Sequence, residues 1–121
     1  KYTITQPSML RKIDSIDDGS GHSLKIITDH ALTVTTKQLR CPNSGIVPIN
    51  DTQYRLLTER ECTRLMGFSD QDFEKLHVAH PGIKGKLNGT LYKQAGNSIV
   101  VNVLESLFEQ INEKHLNPIQ R

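Results

Sequence analysis

The sequence predicts an α+β fold: a small antiparallel β unit, then short helices, then one long amphipathic helix near the carboxy-terminal end. Three observations carry this. Leu24-Lys25-Ile26-Ile27-Thr28 and Leu32-Thr33-Val34-Thr35 are β-rich runs separated by Asp29-His30, and the second alternates apolar with threonine in the manner of a half-buried strand. Residues 57–68 carry the start and stop signals of a short helix. In the tail, Ile99, Val100, Val103, Leu104, Leu107, Phe108 and Ile111 recur at three- and four-residue intervals, one face of a helix with about 3.6 residues per turn.

From the beginning, Tyr2 and Ile4 alternate like a short strand, and Pro7-Ser8 open a possible helix carrying Met9, Leu10 and Ile13. Asp17-Asp18-Gly19-Ser20-Gly21 is a loop by its turn chemistry. After the two strands comes the polar stretch Thr36-Lys37-Gln38-Leu39-Arg40-Cys41-Pro42-Asn43-Ser44-Gly45. Two readings fit it. One is a solvated surface loop; the other is a nucleic-acid contact, because Arg and Gln read base edges bidentately while Lys, Ser and Thr hold phosphates. Ile46-Val47-Pro48-Ile49 is a short strand at most, and its proline argues for an edge.

The clearest local grammar lies at Leu57-Thr58-Glu59-Arg60-Glu61-Cys62. Thr58 with Glu61 three residues on is a capping box, and Leu57 with Cys62 is a hydrophobic staple. Leu65 and Met66 continue the apolar face, Gly67 falls where a left-handed terminator belongs, and Phe68 is placed to fold back on the helix. Ser69-Asp70-Gln71-Asp72 caps a second helix, with Phe73 and Leu76 facing inward, which ends before Pro81-Gly82. The stretch through Gly85, Asn88 and Gly89 reads as a flexible linker. His77 and His80 have a spacing that metal sites use, but no third ligand accompanies them, so they read as surface histidines.

The long helix is expected to spring from Tyr92-Lys93-Gln94-Ala95-Gly96-Asn97-Ser98, with Asn97 and Ser98 as N-cap residues and Gly96 allowing a positive φ or a close approach. That turn reads either as an ordinary glycine turn and cap or as a ligand cradle, since helix N-termini attract anions. The β-branched run Ile99-Val100-Val101 forms helix poorly, so packing must hold this first turn.

The whole chain of 121 residues suits one domain or a piece of one, and its first residue, Lys1, suggests a fragment or a processed chain. Fifteen Lys and Arg against 13 Asp and Glu give a net charge of +2, too small to announce a nucleic-acid binder by itself. No apolar run approaches membrane-span length, and nothing resembles a signal peptide. Two cysteines far apart, without Cys-x-x-Cys or a nearby histidine ligand pair, make no zinc site, and the expected compartment is a reducing cytoplasm.

Arg55 to Phe68, followed downstream by Tyr92 to Val101, resembles the last two signature blocks of the DNA cytosine-5 methyltransferases. The resemblance reaches back more loosely through Ala31-Leu32-Thr33-Val34-Thr35-Thr36 to Gly45, similar to the second half of such an enzyme's target-recognition region. It covers Leu24 to Ile111; residues 1–23 match nothing that can be named. It implies methyl transfer from S-adenosylmethionine to carbon 5 of a cytosine flipped out of duplex DNA, whose target atoms are inaccessible within the stack. It also implies that residues 1–90 are the target-recognition portion, and that residues 91–121 return to a doubly wound catalytic domain not present here. That domain would carry the nucleophilic cysteine and most of the cofactor site, so this piece is expected to be inactive alone, within a bacterial or phage enzyme of the restriction-modification kind.

By the same resemblance, Gly96, Asn97 and Ser98 lie close to the cofactor, while Thr33, Val34, Thr35, Lys37, Gln38, Arg40, Asn43 and Ser44 face DNA. Arg60 and Glu61 help organise the recognition domain, in a structural motif that Thr58 and Gly67 complete as cap and terminator. Glu59 departs from the family, which commonly has proline there; both suit a first helical turn. Neither cysteine fits the nucleophile. Cys41 precedes its proline, the reverse of the family's order, and Cys62 sits at the staple of a capped helix, whereas a nucleophile needs access and a lowered pKa. The apolar stripe would cover the catalytic domain or pair with a second copy. A separate subunit of a split methyltransferase and a non-catalytic DNA-binding or protein-interaction module are the alternatives.

Overall fold

The computed structural model describes residues 1–13 and 23–116. Its elements are α1 (Pro7–Leu10), β1 (Val47–Pro48), β2 (Tyr54–Arg55), α2 (Glu59–Leu65), α3 (Asp70–Ala79), α4 (Gly89–Asn97) and α5 (Val101–Leu116). The loop expected at Asp17–Gly21 lies outside the described residues.

The antiparallel β unit is present, but not where the two β-rich runs placed it. It pairs β1 with β2, Val47 opposite Arg55 and Pro48 opposite Tyr54, closed by a turn in which Asn50 Oδ1 accepts from the Thr52 and Gln53 amides at 2.9 and 2.8 Å. The amino-terminal segment extends it: Thr3 bridges Arg55, Ile4 N–H donates to Tyr54 O, and Leu56 N–H donates to Tyr2 O, both at 2.9 Å. The runs at residues 24–28 and 32–35 do not pair with each other. Leu24 and Ile26 make single parallel bridges to Ile13 and Ile46, and Leu32 N–H bonds Ser44 O. The reason is packing, because the two runs serve different clusters. Leu24 joins Ile4, Met9, Ile46 and Leu56, whereas Val34 joins Leu57, Cys62, Met66, Tyr92 and Ala95. A local hairpin would have to give up one of them.

The tail also differs from expectation. The stretch from Tyr92 to Asn97 is not a turn before a helix but the body of α4, which is capped upstream by Asn88, whose side chain accepts from Leu91 N–H at 3.3 Å. Asn88 and Gly89 are therefore a helix start rather than a flexible linker. Leu91, Tyr92 and Ala95 recur at helical spacing and are buried. Ser98 is extended and ends the helix; of the β-branched run expected to open the long helix, Ile99 and Val100 instead make the break between α4 and α5, and Val101 begins α5. Helix α5 starts on the core, with Val101 N–H bonded to Met66 O at 3.0 Å. Beyond that point much of its apolar face stands in solvent: Val103, Leu107, Phe108 and Ile111 are each 50–60% exposed, as is Ile99 just before the helix. No described helix is long and apolar enough to cross a membrane.

Candidate functional site

The frame of the site is α2, and its sequence grammar appears intact. Glu61 N–H donates to Thr58 Oγ1 at 3.1 Å and Thr58 N–H donates to Glu61 Oε2 at 2.8 Å, closing the capping box. The same carboxylate takes a bidentate bond from Arg55, at 2.9 and 3.0 Å, so one side chain caps the helix and fastens it to β2. The Arg55 guanidinium, opposed by partial burial and aided by Thr58, holds the Glu61 carboxyl below its usual range. Leu57 and Cys62 share a cluster, as a staple requires. At the far end Gly67 has φ +85°, with Gly67 N–H bonded to Arg64 O and Phe68 N–H to Thr63 O. Arg60 reaches across to α3, where it pairs with Glu74 and lies 4.6 Å from the centre of the Phe73 ring; Arg64 grips Asp70 through two bonds of 2.7 Å.

Two further side chains join this frame to the rest. Tyr92, 1% exposed, donates its hydroxyl to Leu57 O at 2.6 Å, tying the second sequence block to the first. Glu59 is buried; it accepts from the Tyr2 hydroxyl and, at 2.7 Å, from Asn88 N–H. Sequence reasoning saw Glu59 only as a first-turn residue. Its partners lie 57 and 29 positions away, and no local signal could have found them.

The polar stretch at residues 36–45 folds as a turn pinned from beneath. Gln38, 2% exposed, donates to Ser44 Oγ at 2.9 Å and to Cys62 Sγ at 3.3 Å. Burial pushes the Cys62 thiol up to about 11, so it is protonated at neutral pH and inert. Asn43 Nδ2 donates to Thr33 O at 3.0 Å. Buried Val34, Gln38 and Ser44 therefore hold the turn's shape and do not belong among surface contacts, a correction to the expected set. Thr33, Lys37, Arg40 and Asn43 are exposed and Thr35 is half-buried. Lys37 and Arg40 make no ion pair among the described residues.

Gly96 presses against this turn. A Cβ there would sit 2.4 Å from Thr35 C and 2.4 Å from Thr36 N. The glycine serves helix-to-backbone approach rather than a left-handed turn. Asn97 and Ser98 close α4, and a helix C-terminus carries partial negative charge. The expected anion cradle at a helix start is therefore absent here. Thr33, Gly96 and Ser98 nonetheless line one largely apolar groove of about 480 Å³, with Leu65, Ile99 and Val100. Gln94 Oε1, one turn from Ser98, is buried without a partner among the described residues. No group of three His, Cys, Asp or Glu side chains that could hold a metal ion occurs among them.

The family model of the C-5 cytosine-specific DNA methylases matches residues 2–113. The chain belongs to that family. The match takes in the amino-terminal segment that resembled nothing on its own, and Ile4 and Met9 in the core explain why that segment is part of the unit. An orphan methyltransferase of Bacillus phage SPbeta is 49% identical over 98 residues, covering 81% of this chain and 20% of that protein. A type II methyltransferase of Lactococcus lactis subsp. cremoris is 49% identical over 78 residues, 64% of this chain and 20% of its own. An orphan methyltransferase of Bacillus phage SPR is 39% identical over 100 residues, 81% and 21% respectively. The chain thus spans about one fifth of the length of these relatives. No solved structure matches it.

Proposed function

We propose that this methylase-family chain is the DNA-recognition portion of a DNA (cytosine-5)-methyltransferase and is inactive without the remainder of that enzyme. The observation that carries the reading is the contact of Gly96 with Thr35 and Thr36. It joins a family signature block rigidly to a turn that offers Lys37 and Arg40 to solvent, so a base-reading surface and the segment leading away from it form one body. Arg40 and Lys37 contact the duplex, with Thr33 and Asn43 beside them. The polar bonds of Gln38 and Ser44 keep the turn in shape before DNA arrives, which reduces the ordering cost of binding.

S-adenosylmethionine, when bound, supplies the methyl group. Of the expected cofactor residues, Asn97 is exposed, and Ser98 sits in the groove with its hydroxyl donating only to Ile99 O, at 3.3 Å. These two fit a contributing polar contact, not a complete site, and Gly96 supports them through packing. The rest of the enzyme holds most of the cofactor. The exposed stripe of α5 fits a helix that crosses to that larger part, and the unpartnered Gln94 oxygen fits a site finished from outside. The departure point lies beyond Val101, because Tyr92, Ala95 and Val100 still pack in the recognition core and Val101 N–H bonds Met66 O.

The test is a pair of variants in the complete enzyme. Asn97→Ala with Ser98→Ala weakens cofactor binding more than DNA binding, and Arg40→Ala does the reverse. A loss confined to DNA affinity in the first variant would refute the assignment of Asn97 and Ser98.

A further inference from the structure

Pro81 to Asn88 leads from α3 to α4 as a shaped loop. Gly82 and Gly85 have φ +67° and +80°. Asn88 Nδ2 closes its base on His80 O at 2.7 Å, and Lys86 N–H bonds Ile83 O at 3.0 Å. A Cβ on Gly82 would meet Asn88 Nδ2 at 2.8 Å. The loop therefore has a fixed form, and it carries two exposed cations, Lys84 and Lys86, which make no ion pair among the described residues. Lys1 adds a third, its ammonium donating to Lys86 O at 3.3 Å.

Behind the loop lies a cleft of about 730 Å³, walled by Lys1, Lys84, Lys86 and Arg60 and by the carboxylates Glu59 and Glu74. Glu74 is paired with Arg60, and Glu59, bonded to the Tyr2 hydroxyl and Asn88 N–H, offsets one further charge, so the three lysines leave the lining with a positive excess. The chain's small net charge hides this local excess. The position matters as much as the sign. Leu39 Cδ1 lies 3.5 Å from where a Gly89 Cβ would be, so the turn bearing Lys37 and Arg40 touches the start of α4. With at most about 3.8 Å of chain per residue and the reach of the Leu39 side chain, the backbones at Arg40 and Lys86 are within roughly 25 Å of each other. That is less than one turn of B-form DNA, about 34 Å.

We propose that the loop at residues 81–88 grips the phosphodiester backbone of duplex DNA beside the recognised sequence, with Lys84 and Lys86 as the phosphate contacts and Lys1 supporting them. The proposal rests on the recognition reading of Lys37 and Arg40, and it assigns the loop a sequence-independent part of the affinity.

The experiment uses the complete enzyme and two duplexes, one with its target sequence and one scrambled, with affinity measured across a range of salt concentrations. Lys84→Ala/Lys86→Ala weakens both duplexes by the same factor, tens of fold near 0.1 M salt, and lowers the slope of log affinity against log salt by about 1.8, or about 0.9 per phosphate contact. Lys84→Arg/Lys86→Arg retains the wild-type slope, which separates lost charge from lost folding. Unchanged affinity and slope in the alanine variant, with a drop in Lys37→Ala/Arg40→Ala, would overturn the proposal and leave recognition standing. A loss restricted to the target duplex would overturn it as well, because phosphates carry no sequence. No effect from either pair would bring down both readings together.

Discussion

Replacing Gly96 by alanine sets two effects of opposite sign against each other. Inside a helix, Gly→Ala ordinarily stabilises by up to about 1 kcal/mol, since alanine leaves the unfolded backbone less freedom and favours the helix. Here the added methyl would lie 2.4 Å from two backbone atoms and 2.6 Å from Thr35 O, where carbon contacts normally settle at about 3.5–4.0 Å. The obstacle is main chain, so no side chain can rotate away. Either α4 or the strand-like segment must move by about 1 Å, and overpacking of that kind costs about 1–3 kcal/mol or more. The steric term wins, and Gly96→Ala is expected to lose about 1–2 kcal/mol in urea unfolding, read as a lower midpoint at unchanged slope. The shifted Thr35–Thr36 backbone also carries the Lys37–Arg40 turn with it, so DNA affinity falls in parallel. An unchanged or raised midpoint would refute the close-approach argument, and a cofactor defect with normal stability would restore Gly96 to the cofactor site.

Two other predictions follow from the frame. Because Arg55 holds the folded Glu61 carboxyl below its unfolded value of about 4.3, that pair contributes its full stability above about pH 5 and loses it as pH falls through the depressed value. Glu61→Gln is expected to flatten the acid limb of the stability–pH curve; a limb as steep as wild type would place the acid sensitivity elsewhere. Cys62, with its thiol pushed up to about 11 by burial, should resist iodoacetamide at pH 8 in the folded protein and react in urea, as mass spectrometry would show. Rapid native labelling at Cys62 would contradict its place in the core.

Signals that act within one or two helical turns were legible in the sequence. Thr58 with Glu61, Gly67 with Phe68, and Ser69 with Asp72 each specify a cap whose partners lie within five residues, and all three occur as read. What the sequence concealed depended on distant partners. The β-rich runs looked like a hairpin because alternation reports a half-buried strand without naming its neighbour, and Leu24 and Val34 answer to different clusters. Asn97-Ser98 and Asn88 are both good caps, and burial of Leu91, Tyr92 and Ala95 decides for the upstream one. In the candidate site, polarity marked the 36–45 stretch but not its orientation. Gln38 and Arg40 are equally suited to reading a base until Cys62, far along the chain, turns Gln38 inward. The Gly96 approach had a signal in the bare glycine, although its partner, the backbone at Thr35, did not.

On the proposed function, this chain recognises DNA for a chemistry completed elsewhere. Methyl transfer from labelled S-adenosylmethionine to target duplex tests it most directly, with the 121-residue chain alone and again with the remaining part of the enzyme supplied separately. No transfer by the chain alone and sequence-specific transfer after mixing are the expected results. Transfer by the chain alone would contradict the proposed function, because neither Cys41 nor buried Cys62 is fitted to attack a base; silence in both would favour a binding module without catalysis.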